Sequence, residues 1–141
     1  MTMSEQKRRW PKWLVPGAVL LLLLAALFLN AGRALAWYYN PARTNPDKAV
    51  VLLTTKWCPY CSILRHSLLQ SNIPFREIDI EASRAGQWAF RASGARGIPV
   101  TLIGQRYISG GLGPQLKALS EAGYPVYIAI PDEVRQRMQQ H

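Results

Sequence analysis

From Trp13 to Gly32 the chain reads WLVPGAVLLLLLAALFLNAG, without one charged residue. Five successive leucines, Leu20 to Leu24, leave a helix no polar face, so the run is poorly suited to the surface of a globular core. Its length is that of a helix crossing the hydrocarbon of a bilayer. Trp10 and Trp13 flank one end and Trp37, Tyr38 and Tyr39 the other, the ring types that favour the headgroup interface. This feature divides the chain into a basic segment (1–13), a membrane helix (14–32), a linker with two Asn-Pro pairs (33–47), one folded domain (48–122) and an extension (123–141). A second reading shares the apolar run: a signal peptide with a basic start and a small-residue cleavage site at Ala34-Leu35-Ala36.

Orientation follows from the flanking cations. Lys7, Arg8, Arg9 and Lys12 precede the helix, against Arg33 and Arg43 after it. That bias keeps the N-terminus in the cytoplasm and exports the domain, in a bacterium to the periplasm, anchored by a single pass or soluble after cleavage. The formal charge is +9; with Glu5 subtracted, residues 1–13 hold +3 and the rest +6. Past position 40 the Lys and Arg residues are scattered. Nucleic-acid recognition needs a patch or stripe, so no nucleic-acid partner is expected. The domain is read as a monomer.

Behind the linker, Ala49 to Thr55 is a continuous apolar and β-branched run, the pattern of a strand buried on both faces. A helix follows from Pro59, with apolar residues at Leu64, Leu68 and Leu69 and a stop at Asn72. Phe75 to Ile80 alternates as a second strand, and Ser83 to Ser93 forms a helix broken at Gly94. Pro99 to Ile103 and Arg106 to Ile108 make a hairpin around Gly104-Gln105, and Pro114 to Ala122 is a helix ended by Gly123. The order β-α-β-α-β-β-α predicts an α/β layered domain with a parallel pair and an added hairpin. For the tail beyond Tyr124, a packed extension, a docking segment and a disordered end are equally compatible with the residues.

The chain has two cysteines, Cys58 and Cys61. They are too few for a disulfide scaffold and half of a four-cysteine zinc site. Cys58 stands where a strand ends and a helix starts. There the unpaired backbone N–H groups and the positive end of the helix dipole favour an anionic sulfur, the form that attacks disulfides. Lys56 adds to that field. Cys61, one turn on, can close a disulfide with Cys58 and release whatever the first sulfur has captured. With Trp57 and Tyr60 beside it, the pair is expected to be reachable rather than fully buried. His66, five positions after Cys61, is poorly angled to share an ion, and no metal site is expected; the alternative reading is a thiol module binding copper or an iron–sulfur cluster at the membrane.

Trp57-Cys58-Pro59-Tyr60-Cys61 after a buried strand resembles the dithiol glutaredoxin active site. The resemblance continues through Gly97-Ile98-Pro99-Val100-Thr101, the hairpin to Ile108, and Gly110-Gly111, and covers about residues 48–122. It implies a thioredoxin-like fold with a four-stranded mixed sheet and flanking helices, and a thiol–disulfide oxidoreductase. Cys58 would be the nucleophile and Cys61 the resolving thiol, supported by Trp57, Pro59, Tyr60 and a cis Pro99. Lys56, Tyr60, Ile98, Pro99, Gly110 and Gly111 would contact glutathione or a substrate backbone. The partners implied are protein disulfides or glutathionylated proteins, with glutathione as co-substrate and no bound cofactor. One departure is visible: the family often places a polar or acidic residue after the glycine pair, and here Leu112-Gly113-Pro114 follows.

Overall fold

The computed structural model describes residues 14–140; the basic segment 1–13, Trp10 and Trp13 with it, and His141 lie outside the described residues. The chain forms two compact units that meet at Leu35–Ala36.

The first unit is helical. Helix α1, Leu14–Tyr38, continues six residues beyond the expected end at Gly32, across Arg33 and into Trp37 and Tyr38. Nothing in 33–38 breaks it, because Ala34, Leu35 and Ala36 are good helix formers. Its large apolar side chains are exposed, Leu20 to Leu24 and Phe28 among them. Over Val15–Tyr38 the helix is long and apolar enough to cross a membrane.

In the second unit the stretch expected as a linker is partly built into the fold. Asn40 accepts the Ala42 N–H on its side chain and caps a 3-10 turn, Pro41–Arg43. Ala42 is buried against Val51 and Leu102, and the Tyr107 hydroxyl donates to Asn40 Oδ1 at 2.6 Å. The Arg43 guanidinium lies 3.5 Å over the Trp37 ring. Asn-Pro pairs mark a turn locally; the apolar side chain between them finds the sheet.

Four strands follow: β1 Val50–Thr54, β2 Phe75–Asp79, β3 Val100–Ile103 and β4 Arg106–Ser109, in the order β2-β1-β3-β4. β1 runs parallel to β2 and antiparallel to β3, and β3 pairs antiparallel with β4. β1 and β3 occupy the centre and are buried throughout, which is why Val50 to Leu53 shows no alternation. β2 is an edge, and its Arg76 and Glu77 are exposed.

Helix α2, Pro59–Gln70, covers one face. Leu64 and Leu68 are buried with Val50, Leu52 and Leu119, the last from α4, Leu112–Glu121. On the other face α3, Arg84–Ser93, buries Ala89 against Leu53 and Val100. Ser83 caps α3 through its hydroxyl, and Gly94 ends it at φ +67°. Gly86 is where α3 meets the end of β2: a Cβ there would lie 2.4 Å from the Asp79 carbonyl oxygen.

The tail is a packed extension. Tyr124 and Val126 join the cluster of Leu64 and Leu68, and the Tyr124 hydroxyl donates to the Lys48 carbonyl at 2.8 Å. The irregular stretch that follows lies along α2. Ser71 Oγ accepts the Tyr127 N–H at 3.1 Å, and Ser67 Oγ accepts the Ala129 N–H at 2.9 Å. A last helix, α5 Asp132–Gln139, buries Val134.

Candidate active site

Cys58 is the N-cap of α2, extended at φ −78° and ψ 114°. Pro59 takes the first helical position, where a missing N–H leaves nothing unpaired. The cap hydrogen bond that Ser or Asp supplies elsewhere comes here from sulfur: the Cys61 N–H donates to Cys58 Sγ at 3.2 Å. Both cysteines are free thiols. Cys58 is 5% exposed and Cys61 fully buried, which corrects the expectation of a reachable pair. The capping geometry folds the Cys58 side chain back over the first turn, so the flanking Trp57 and Tyr60 take the exposure instead.

The proton on Cys61 is held firmly. Burial, then the hydrogen bond to Cys58, push this thiol up to about 12, while the Thr55 backbone and the Arg65 charge pull the other way. Arg65, one helical turn after Cys61, is itself fixed. Its Nε donates to Glu77 Oε2 at 2.8 Å, and the Thr54 hydroxyl donates to the same carboxylate. Glu77 is accordingly held below its ordinary value, chiefly by the Arg65 hydrogen bond. Beside Cys61, buried Thr55 has a hydroxyl with no partner.

Next to Tyr60 opens a groove of about 360 Å³. The Ile98–Pro99 bond is cis, and these two residues form one wall with Gly97 and Arg96; Ser109, Gly110 and Gly111 form the other. Gly110, at φ +114°, lies in backbone space that side chains avoid. Gly111 caps α4 without any side-chain hydrogen bond. Of the residues singled out in the sequence, Tyr60, Ile98, Pro99, Gly110 and Gly111 meet in this groove. Lys56 is exposed and is not among its walls. Trp57 turns its indole N–H to Glu81, 3.0 Å from Oε2, and so packs toward the β2 side.

Two groove residues were not anticipated. Arg96 was passed over as one of many scattered arginines, and only its place two residues before Ile98 could have singled it out. Gln115 lies wholly buried beneath the groove, and nothing in the local sequence sets it apart. Among the described residues no three His, Cys, Asp or Glu side chains gather as a metal set.

A mixed sheet in this order, with two sulfurs at the start of α2 and a cis-proline wall nearby, defines a thioredoxin-fold thiol–disulfide oxidoreductase. Within that class the chain belongs to the glutaredoxin family. The family model for glutaredoxin matches residues 50–108. A glutaredoxin of Pseudomonas aeruginosa is 34% identical over 76 residues, which cover 52% of this chain and 87% of that protein. The crystal structure of the holo form of glutaredoxin C1 from Populus tremula x tremuloides shares the fold, with a TM-score of 0.51 at 18% identity. That alignment covers 70% of this chain and 97% of the poplar chain.

Proposed function

We propose that this chain is a membrane-anchored glutaredoxin that reduces or exchanges glutathione mixed disulfides and protein disulfides through Cys58 and Cys61. The observation that carries this reading is the asymmetry of the two sulfurs. Cys58 Sγ receives a backbone N–H at the positive end of a helix, and Cys61 keeps its proton.

In the reaction the Cys58 thiolate attacks one sulfur of the substrate disulfide. A Cys58–substrate disulfide forms, and the other half departs as a thiolate that takes a proton from water. Cys61 then gives up its proton, and its sulfur attacks Cys58 Sγ. The substrate thiol is released, and the Cys58–Cys61 disulfide holds the two oxidised sulfurs. Two electrons have passed from the dithiol to the substrate. Two equivalents of a small thiol, glutathione in this reading, restore the dithiol and leave as a disulfide. Arg65 favours the ionised state through which Cys61 must pass.

The groove fits a small peptide bearing carboxylates. Backbone N–H groups at the start of α4 suit one carboxylate, and the Arg96 guanidinium suits another. The Ile98 backbone, beside the cis bond, can pair with the peptide in strand fashion. Lys56 adds positive charge outside the groove. Helix α1, exposed and apolar along its length, is the anchor in this reading, with the cation-rich N-terminus inside and the domain outside.

The test is a pair of substitutions assayed on a glutathionylated peptide. Cys58→Ser should lose at least about a thousandfold in turnover. Cys61→Ser should accumulate a substrate covalently bound through Cys58, visible by non-reducing mass measurement. A Cys58→Ser protein as active as the parent would overturn the proposal.

A further inference from the structure

Gln115 is fully buried, and each end of its amide is engaged. Nε2 donates to the Pro99 carbonyl at 2.7 Å and to the Gly110 carbonyl at 2.9 Å, while Oε1 accepts the Thr101 hydroxyl. Those two carbonyls belong to the two loops that line the groove, the proline loop and the glycine pair. One side chain, reaching up from the first turn of α4, therefore ties both walls together from below. Burying a primary amide is unfavourable unless its hydrogen bonds are made, and here both donor hydrogens and the oxygen have partners.

We propose that Gln115 is the positioning residue of the substrate groove, holding the Pro99 wall and the glycine wall at the separation and rotation that a glutathione-sized peptide needs. The proposal rests on the substrate reading above and deepens it. Its mechanism lies in peptide planarity. In a trans peptide the C=O and N–H point opposite ways, so drawing the Gly110 carbonyl inward turns the Gly111 N–H away from Gln115. That N–H opens the row of unpaired donors at the start of α4, where an anionic group is best received. At the other wall, fixing the Pro99 carbonyl fixes the strand end that carries Ile98. Thr101 sets the sense of the amide: its hydroxyl donates to Oε1, so the NH₂ group, not the oxygen, faces the two carbonyls. An amide turned the other way would set oxygen against oxygen.

A residue acting this way governs binding of the peptide rather than the chemistry of the sulfurs. Gln115→Met removes both donors with little change in volume. It should raise KM for a glutathionylated peptide about tenfold or more, change kcat less than about threefold, and leave alkylation of Cys58 by iodoacetamide at its parent rate. The double change Gln115→Leu with Thr101→Val replaces the polar pair by an apolar one and should raise KM likewise, even if the single variant folds poorly. Leu119→Ala, a cavity in the same helix remote from both loops, is the control for stability: it should lower Tm and leave KM in place. A parent protein that turns over the peptide, beside a folded Gln115 variant of unchanged KM, overturns this assignment alone. A KM shift of the same size in Leu119→Ala overturns it as well, by reducing Gln115 to a structural role. A parent protein inert toward the glutathione mixed disulfide overturns the substrate reading and this assignment together.

Discussion

At the scale of single residues the site is a contrast between two sulfurs three positions apart. The Cys61 thiol is pushed up to about 12 by burial and by its bond to Cys58, well above the ordinary value of 9.0. Because an unfolded chain releases this proton near the ordinary value and the folded chain keeps it, folding is favoured in full below pH 9.0 and loses that support as pH climbs toward about 12. Reduced protein should therefore show a denaturant midpoint that falls over this interval, and Cys61→Ala should flatten the fall. Equal alkaline slopes for the two proteins would contradict the buried-thiol account. The C-P-Y-C spacing and the helix start could be read from the chain, because each is a local signal, and the proline wall followed from the glutaredoxin resemblance. The closure of Cys58 over its own helix turn could not, since the expectation rested on its neighbours' bulk rather than on the direction of the cap. Gln115 stayed hidden for a related reason: a glutamine between Pro114 and Leu116 has no local mark of burial until the Pro99 and Gly110 carbonyls, at the open end of the β3–β4 hairpin, are brought over it.

Elements were legible where hydrophobic pattern and turn chemistry agreed. The unbroken run before Thr55 became the buried central strand, and Asn72, at φ +51°, marks the end of α2 as expected. α4 starts at Leu112, two residues ahead of the position read from Pro114, because Gly111 serves as its cap. The tail was undecidable from local pattern. Its anchors, Ser67 and Ser71, lie 62 and 56 residues away from the backbone groups they hold. Ser67→Ala should leave the Ala129 N–H without a partner and cost about 1–3 kcal/mol, read as a shift in the denaturation midpoint with no change in the alkylation of Cys58. Gly86→Ala tests the seam between α3 and β2. The added methyl would meet the Asp79 carbonyl at 2.4 Å, so overpacking should destabilise the fold by about 1–3 kcal/mol. A Gly86→Ala protein as stable as its parent would mean that α3 can slide.

For the whole molecule, the apolar run that divides the sequence also divides the structure, with a helix and a folded unit meeting near residue 35. If α1 is retained, the protein should resist extraction with alkaline carbonate and show the intact mass of the full chain; loss of residues 1–36 would establish cleavage instead. An alkaline phosphatase fusion after Gly123 should be active if the domain is exported, and an inactive fusion would reverse the topology. A retained α1 would confine copies to a membrane plane and raise the frequency with which they meet, and an open sheet edge is a template for strand addition. The β2 edge carries Arg76, Glu77 and Asp79 in three of its five positions, and the opposite edge, β4, is only four residues long and begins at Arg106. Ionic side chains along one border and brevity along the other make lateral zipping of neighbouring sheets unfavourable.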